Sequence, residues 1–291
     1  MNGIINVYKE KGYTSHDVVA RLRGILKQKK IGHTGTLDPE AEGVLPVCLG
    51  KATKLCSMME DTDKEYRVTM LLGVETDTED MTGTVLKTSN VTCSESDVYE
   101  ACGKYIGNIE QIPPMYSALK VNGKKLYQLA REGKVIERKP RSITIYDIRI
   151  LFCNLPEVTM NVRCSKGTYI RSLCRDIGAD LGCGGCMKTL VRTSACGFQI
   201  KDSYRLDEIE KKRDSGELDF IIVKMDTMFQ QYPSVTIPSD YNKLLYNGNA
   251  IPIHLEHAEE KIRVYDEEKN FIGIYENQKT RIKPIRLFFD R

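Results

Sequence analysis

Apolar and polar residues alternate from Lys64 to Leu72, with Tyr66, Val68 and Met70 on one face and Arg67, Thr69 and Leu71 on the other. This period of two predicts a half-buried strand. Ile4 to Tyr8 predicts a second, and the unbroken apolar run Val44 to Leu49 a third that is buried on both faces. Between those two, Val18, Val19, Leu22, Ile25 and Leu26 recur at helical spacing behind Thr14 and Ser15. Either hydroxyl suits the cap of an amphipathic helix running to about Lys30.

The pattern continues in mixed order. Ala52 to Met59 reads as helical, TDTEDMTG as turn chemistry, and Ser94 to Ile106 as a capped helix ending at Gly107. Pro113-Pro114 breaks the chain, and MYSALKVNGKKLYQLAREGK predicts a strand, an Asn122-Gly123 turn and a short basic helix. Arg141 to Cys153 and Val158 to Cys164 predict paired strands joined by Asn154-Leu155-Pro156, and Tyr169 to about Leu181 a helix stopped by Gly182. After a charged helix over Leu206 to Lys212, short strand-like runs such as KIRVYD and FIGIYE begin at about Tyr232. Regular βαβ alternation is absent, so the fold class expected is α+β. The organisation expected is a large domain over 1–230 and a small β-rich one over 231–291.

The chain of 291 residues can bury a large core without disulfides or metals, and its 41% hydrophobic and 29% charged residues are those of a soluble globular protein. No apolar run reaches membrane-spanning length, and MNGIINVYKEKGYTS lacks a signal peptide's basic-then-apolar order. A cytoplasmic protein without membrane association is expected. The ten cysteines fall largely in apolar or strand-like segments, as reduced thiols do. Cys183-Gly-Gly-Cys186 has the spacing of half a zinc site or of a redox pair, with buried or loop thiols as the plainer reading. Neither a second cysteine pair nor any cluster among His16, His33, His254 and His257 completes it, so no metal is expected.

The net charge of +3 is small, but its distribution is uneven. Lys9, Lys11, Arg21, Arg23, Lys27, Lys29 and Lys30 oppose only Glu10 and Asp17, and Lys120, Lys124, Lys125, Arg131, Lys134, Arg138, Lys139 and Arg141 oppose only Glu132 and Glu137. Two basic islands in a nearly neutral chain suit either a polyanion or a pair of solvated faces.

Within IGHTGTLDPEAEGVLPVCLG, Asp38 lies in a glycine-punctuated loop that opens into the Val44 to Leu49 strand. Pro39 biases Asp38 toward an extended backbone, and Gly32 and Gly35 permit angles that side chains forbid. A carboxylate tethered to a rigid strand suits a nucleophile, while Asp-Pro equally suits an ordinary surface turn. No P-loop, G-x-G-x-x-G, HExxH or G-x-S-x-G is present, so an enzyme here works without a nucleotide or metal cofactor.

GHTGTLDPEAEGVLPVCLGKATK, DKEYRVTMLLGVETDTED, QIPPMYSALKVNGKKLYQLAREG and CSKGTYIRSLCRDIGADLGCG, in this order and spacing, closely resemble the TruB-type tRNA pseudouridine synthases. The resemblance spans about residues 4 to 200. It extends less sharply to LLYNGNAI, IRVYDEEKNFIGIYE and RIKPIRLF, which are similar to the family's small PUA-like RNA-binding domain.

The resemblance implies a catalytic domain with a mixed, mainly antiparallel sheet. The implied activity isomerises uridine to pseudouridine at position 55, in the T-loop of tRNA, without a cofactor or a protein partner, by a monomer. It makes Asp38 the nucleophile, Tyr66 the platform stacked on the target base, and Tyr169 with Arg171 an active-site pair. It places His33 beside the path of the flipped nucleotide and Leu190 against the uracil. Residues 118–141 match an RNA-gripping insertion, so Lys120, Lys124, Lys125, Arg131 and Arg141 are expected on the RNA, as is Lys9 of the first basic island.

The chain departs from the family where Lys9-Glu10 replaces Lys-Pro, where Gly185-Cys186-Met187 replaces Ala-His and an apolar residue, and where Val191 replaces the first of two arginines. The first change is expected to loosen the aspartate loop. A tRNA-binding protein without chemistry, and the same chemistry on another RNA, stay open at this point.

Overall fold

The computed structural model describes residues 1–59, 62–121, 123–255, 259–278 and 280–289. Asn122 of the expected Asn-Gly turn and His257 lie outside them. Strand β1 (Gly3–Lys9) leads into helix α1 (Ser15–Leu26), followed by β2 (Ile31–His33), β3 (Glu42–Leu49), a 3₁₀ turn and α2 (Cys56–Met59). Then come β4 (Lys64–Leu72), the hairpin β5 (Val74–Thr76) and β6 (Val85–Thr88), α3 (Glu95–Lys104) and β7 (Gly107–Gln111). A small insertion holds β8 (Lys120–Val121), β9 (Lys124–Lys125) and α4 (Leu126–Arg131). The long pair β10 (Arg141–Asn154) and β11 (Glu157–Cys164), helix α5 (Ile170–Asp180), β12 (Gly185–Ala195), β13 (Phe198–Gln199) and α6 (Leu206–Asp214) follow. The last stretch holds β14 (Ser234–Thr236), α7 (Asn242–Tyr246), β15 (Lys261–Tyr265), β16 (Phe271–Asn277) and β17 (Ile282–Leu287).

The main sheet runs β1-β3-β12-β4-β11-β10-β7, with β2 on β3 and β13 on β12, and β14 to β17 form a second sheet. All pairings in the main sheet are antiparallel except β12 with β3. The α+β class and the mixed, mainly antiparallel sheet expected from the sequence are what the chain adopts.

Helix α1 starts where its capping chemistry places it, since the Thr14 hydroxyl accepts from the Asp17 amide and the Asp17 carboxylate accepts from the Thr14 amide. It stops earlier than the expected Lys30, because Lys27 turns left-handed (φ 48°) and frees the chain to enter β2. Its apolar stripe packs with Ile5, Val7, Leu45 and Val47, and each such buried side chain contributes about 1.5–3 kcal/mol. On β4 the faces alternate as the period-two pattern requires, with Tyr66, Val68 and Met70 buried.

One central strand does not announce itself. Strand β12 reads GCMKTLVRTSA, mixing charge with apolar residues at neither period, yet it lies between β3 and β4. It can approach β3 because Gly43 stands there with φ 103°: a Cβ at that position would lie 2.3 Å from the Arg192 carbonyl oxygen. Among the described residues no helix is long and apolar enough to cross a membrane, and the ten cysteines are all free thiols.

Candidate active site

The loop between β2 and β3 carries Asp38, and the framework beneath holds it by backbone contacts. The Leu37 amide donates to the Ser15 hydroxyl at 3.0 Å, Gly12 N–H donates to the Pro39 carbonyl at 2.9 Å, and Ala41 N–H donates to the Asp38 carbonyl at 3.1 Å. Lys9 supplies the fourth tie. Expected on the RNA, it is instead fully buried, with Nζ donating to the carbonyls of Pro39 (3.0 Å), Ala41 and Glu10 (3.2 Å). Its ammonium is enclosed behind the loop and presents nothing to a phosphate.

Burial lowers the Lys9 pKa to about 8, opposed chiefly by the charge of Asp38. The loosening expected from Glu10 is also corrected: Glu10 pairs with Arg205, and the neighbouring lysine clamps the loop. Lys9→Met is therefore expected to destabilise the fold by about 2–5 kcal/mol, since it strands buried carbonyls. It should leave the salt dependence of RNA binding unchanged. Chemical denaturation and a salt titration of the dissociation constant check the two halves, and a shallower salt slope would return Lys9 to the RNA surface.

Arg171, on the first turn of α5, is 6% exposed and reaches Asp38 with Nε 3.0 Å from Oδ2 and Nη2 3.4 Å from Oδ1. The same guanidinium donates to the carbonyls of Thr78 (3.1 Å) and Tyr116 (2.8 Å) and lies 3.9 Å from the Asp80 carboxylate. A planar fork with donors fixed in this spread suits arginine and not lysine. Burial raises the Asp38 pKa, Arg171 opposes the rise and Asp80 adds to it. The Asp38 side chain nonetheless keeps 39% of its surface exposed, toward a cavity of about 920 Å³.

That cavity brings together Asp38, Tyr66, Tyr169, Arg171 and Leu190 from four separate stretches of sequence. Tyr66 and Leu190 lie on the adjacent strands β4 and β12, and burial raises the Tyr66 pKa. Tyr169 precedes α5, with its backbone N–H and C=O both bonded to the Gln111 side chain, at 2.8 and 3.0 Å. Arg131 on α4 also reaches the cavity, while Lys120, Lys124 and Arg141 are exposed outside its lining. Lys125 and Arg131 each stand 5.5 Å from the centre of the Tyr127 ring, another lining residue.

His33 is not among the lining residues. Its ring meets His16 edge-on at 5.3 Å, and burial, with the charges of His16 and Arg192, lowers its pKa to about 4. It is a neutral ring behind the loop, with Nδ1 lacking a hydrogen-bond partner among the described residues.

Three site residues escaped the sequence reading. Arg192 on β12 is 1% exposed, lines the cavity, and donates to the carbonyls of Val44 (2.7 Å) and Gly35 (3.2 Å). Asp80 lines the cavity beyond Arg171, and the buried Gln111 positions Tyr169 from β7. The turn signal TDTED and the charge inside LVRTSA were visible, but neither indicates which way its side chain points.

The fold and this cavity are those of a pseudouridine synthase, and the comparisons with known proteins agree. The TruB family pseudouridylate synthase N-terminal domain matches residues 23–170, the tRNA pseudouridylate synthase B C-terminal domain residues 171–230, and the pseudouridine synthase II TruB C-terminal domain residues 233–288. The chain is 53% identical to tRNA pseudouridine synthase B of Lachnoclostridium phytofermentans, over 99% of this chain and 100% of that one. It is 46% identical to tRNA pseudouridine synthase B of Clostridium kluyveri, over the same shares. Among solved structures, a chain in the crystal structure of a Cbf5-Nop10-Gar1 complex superposes with TM-score 0.74 at 26% identity, covering 99% of this chain and 85% of that one. The chain belongs to the TruB family of pseudouridine synthases.

Proposed function

We propose that the protein isomerises uridine 55 in the T-loop of tRNA to pseudouridine, with Asp38 as the nucleophile on a flipped-out base. The observation that carries this is the Asp38 carboxylate, ion-paired to a buried arginine and open to a cavity that Tyr66 and Tyr169 also line. The reaction breaks the C1′–N1 bond, turns the uracil and rejoins it through C5. It needs no oxidant and no second substrate, so an ionised carboxylate, a stacking surface and a base for the C5 proton suffice.

Extruding the base costs about a few kcal/mol, and stacking on Tyr66 offsets roughly 1–3 kcal/mol of it. Leu190 bounds the uracil and Tyr169 closes the other side. Tyr66 or Asp38 takes the C5 proton. Lys120, Lys124, Lys125, Arg131 and Arg141, with the insertion 118–141, grip the tRNA backbone, and residues 231–291 form a PUA-like RNA-binding domain beside the catalytic domain of 1–230. The protein acts in the cytoplasm, as a monomer without a protein partner.

The test follows tritium release to water from tRNA labelled at uridine C5. Release confined to position 55 supports the reading; binding without release overturns it in favour of a tRNA-binding protein, and release only from other RNA reassigns the substrate. The acid side of the rate profile gives a further expectation. Because burial lifts the Asp38 pKa above the usual carboxylate value of about 3.9, activity should fall with decreasing pH through a midpoint above that value. A midpoint at or below it would remove Asp38 as the titrating group.

A further inference from the structure

A cleft of about 650 Å³ opens beside the catalytic cavity. Three stretches distant in sequence build it: Ser57 on α2, Pro140 to Ile143 where β10 begins, and Lys166-Gly167 between β11 and α5. Gly167 lines both cavities, so they share a wall. It has φ 79° and open space where a Cβ would stand, which leaves that wall as bare backbone over which another chain can pass.

The chemistry of the lining is one-sided. It carries two cations, Arg141 and Lys166, two hydroxyls, and no carboxylate. The side chains of Arg141, Ser57 and Ser142 make no hydrogen bond or ion pair among the described residues, so a guanidinium fork and two hydroxyls face the cleft with donors free. The Arg141 charge is felt at the Tyr169 hydroxyl, inside the catalytic cavity. Such a lining attracts a tetrahedral anion, which arginine binds through two parallel hydrogen bonds. Pro140 and Ile143 supply the apolar side against which a ribose can lie.

We infer that this cleft is a phosphate subsite, in which Arg141, with the Ser57 and Ser142 hydroxyls, holds one backbone phosphodiester of the same RNA strand that delivers its uridine to Asp38. A strand that turns one nucleotide into the cavity must leave it again, and the bare backbone at Gly167 is a passage from the cavity into the cleft. The subsite fixes where the strand runs beside the reacting nucleotide, and it gives Arg141, at the end of the 118–141 stretch, one definite linkage to hold. The inference rests on the RNA-isomerase reading above.

The test neutralises one phosphate at a time. A tRNA stem-loop carries a single methylphosphonate at each linkage flanking the target uridine, and dissociation constants are measured with the wild-type protein, R141Q and R141K. One linkage is expected to weaken wild-type binding about tenfold, R141Q to weaken binding of the unmodified RNA by a similar factor, and the two together to cost no more than either alone. R141K should recover part of the loss, and the log–log salt slope of R141Q should be shallower by about 0.7–0.9. Wild-type affinity in R141Q, or losses that multiply at every linkage, would overturn the subsite. Tritium release by the wild-type protein is scored alongside: absent release sinks the isomerase reading, whereas intact release with no coupling at any linkage sinks only the subsite.

Discussion

Asp38→Asn is expected to eliminate turnover, with a rate loss of at least about 10⁴-fold, equivalent to about 5.4 kcal/mol of transition-state stabilisation. The amide keeps the size and most of the hydrogen-bonding geometry of the carboxylate, so the loop, its four ties and the cavity should persist. What disappears is the anionic oxygen that Arg171 Nε holds at 3.0 Å beside the cavity, whereas the Asp80 carboxylate stands farther off, at 3.9 Å. Binding of unmodified tRNA should stay within about tenfold of wild type, a change of no more than 1.4 kcal/mol, because the cations proposed to meet phosphates lie elsewhere. Single-turnover tritium release and a binding isotherm on the same preparation check both halves. Residual turnover within about a hundredfold of wild type would remove Asp38 from the nucleophile's role.

Arg171→Lys is expected to lower the rate by about 10²–10³-fold, about 2.7–4 kcal/mol, the loss typical when one preorganised donor is withdrawn from a reacting charge. Lysine retains the charge but cannot span Asp38, Asp80 and the Thr78 and Tyr116 carbonyls at once. The sign of the accompanying pH effect follows from the same contacts. Arg171 opposes the rise in the Asp38 pKa, so weakening it should move the acid limb of the rate profile to higher pH. Arg171→Ala goes further, leaving buried carboxylates without a counter-charge, and should cost about 3–5 kcal/mol of folding stability as well. A rate profile for the lysine variant that overlays wild type would refute the pairing as a catalytic device.

Much of the fold was legible in local pattern. Thr14 and Ser94 mark the starts of α1 and α3 because a hydroxyl followed three residues later by aspartate satisfies orphan amides at a helix start. The alternation over Lys64 to Leu72 marked β4 because one face is buried in the core. Strand β12 was not legible: it is central, flanked by strands on both edges, yet it carries Arg192 inward to the loop carbonyls and so breaks the apolar run expected of such a strand.

The sequence by itself determined which reactive side chains are on offer and the local elements they stand on. A carboxylate on a glycine-punctuated loop ahead of a buried strand, a tyrosine on an alternating strand and an arginine opening a helix are statements about single residues and their immediate neighbours. Those are set by backbone sterics, periodicity and capping. Only the tertiary structure decided which charges face the cavity. Lys9 and Lys120 look alike in sequence, yet one lies sealed beneath the Asp38 loop with its ammonium committed to carbonyls, and the other stands in solvent. Whether a cation supports a loop or meets a phosphate depends on what packs over it. Contacts between distant segments set that packing, and no local pattern encodes it.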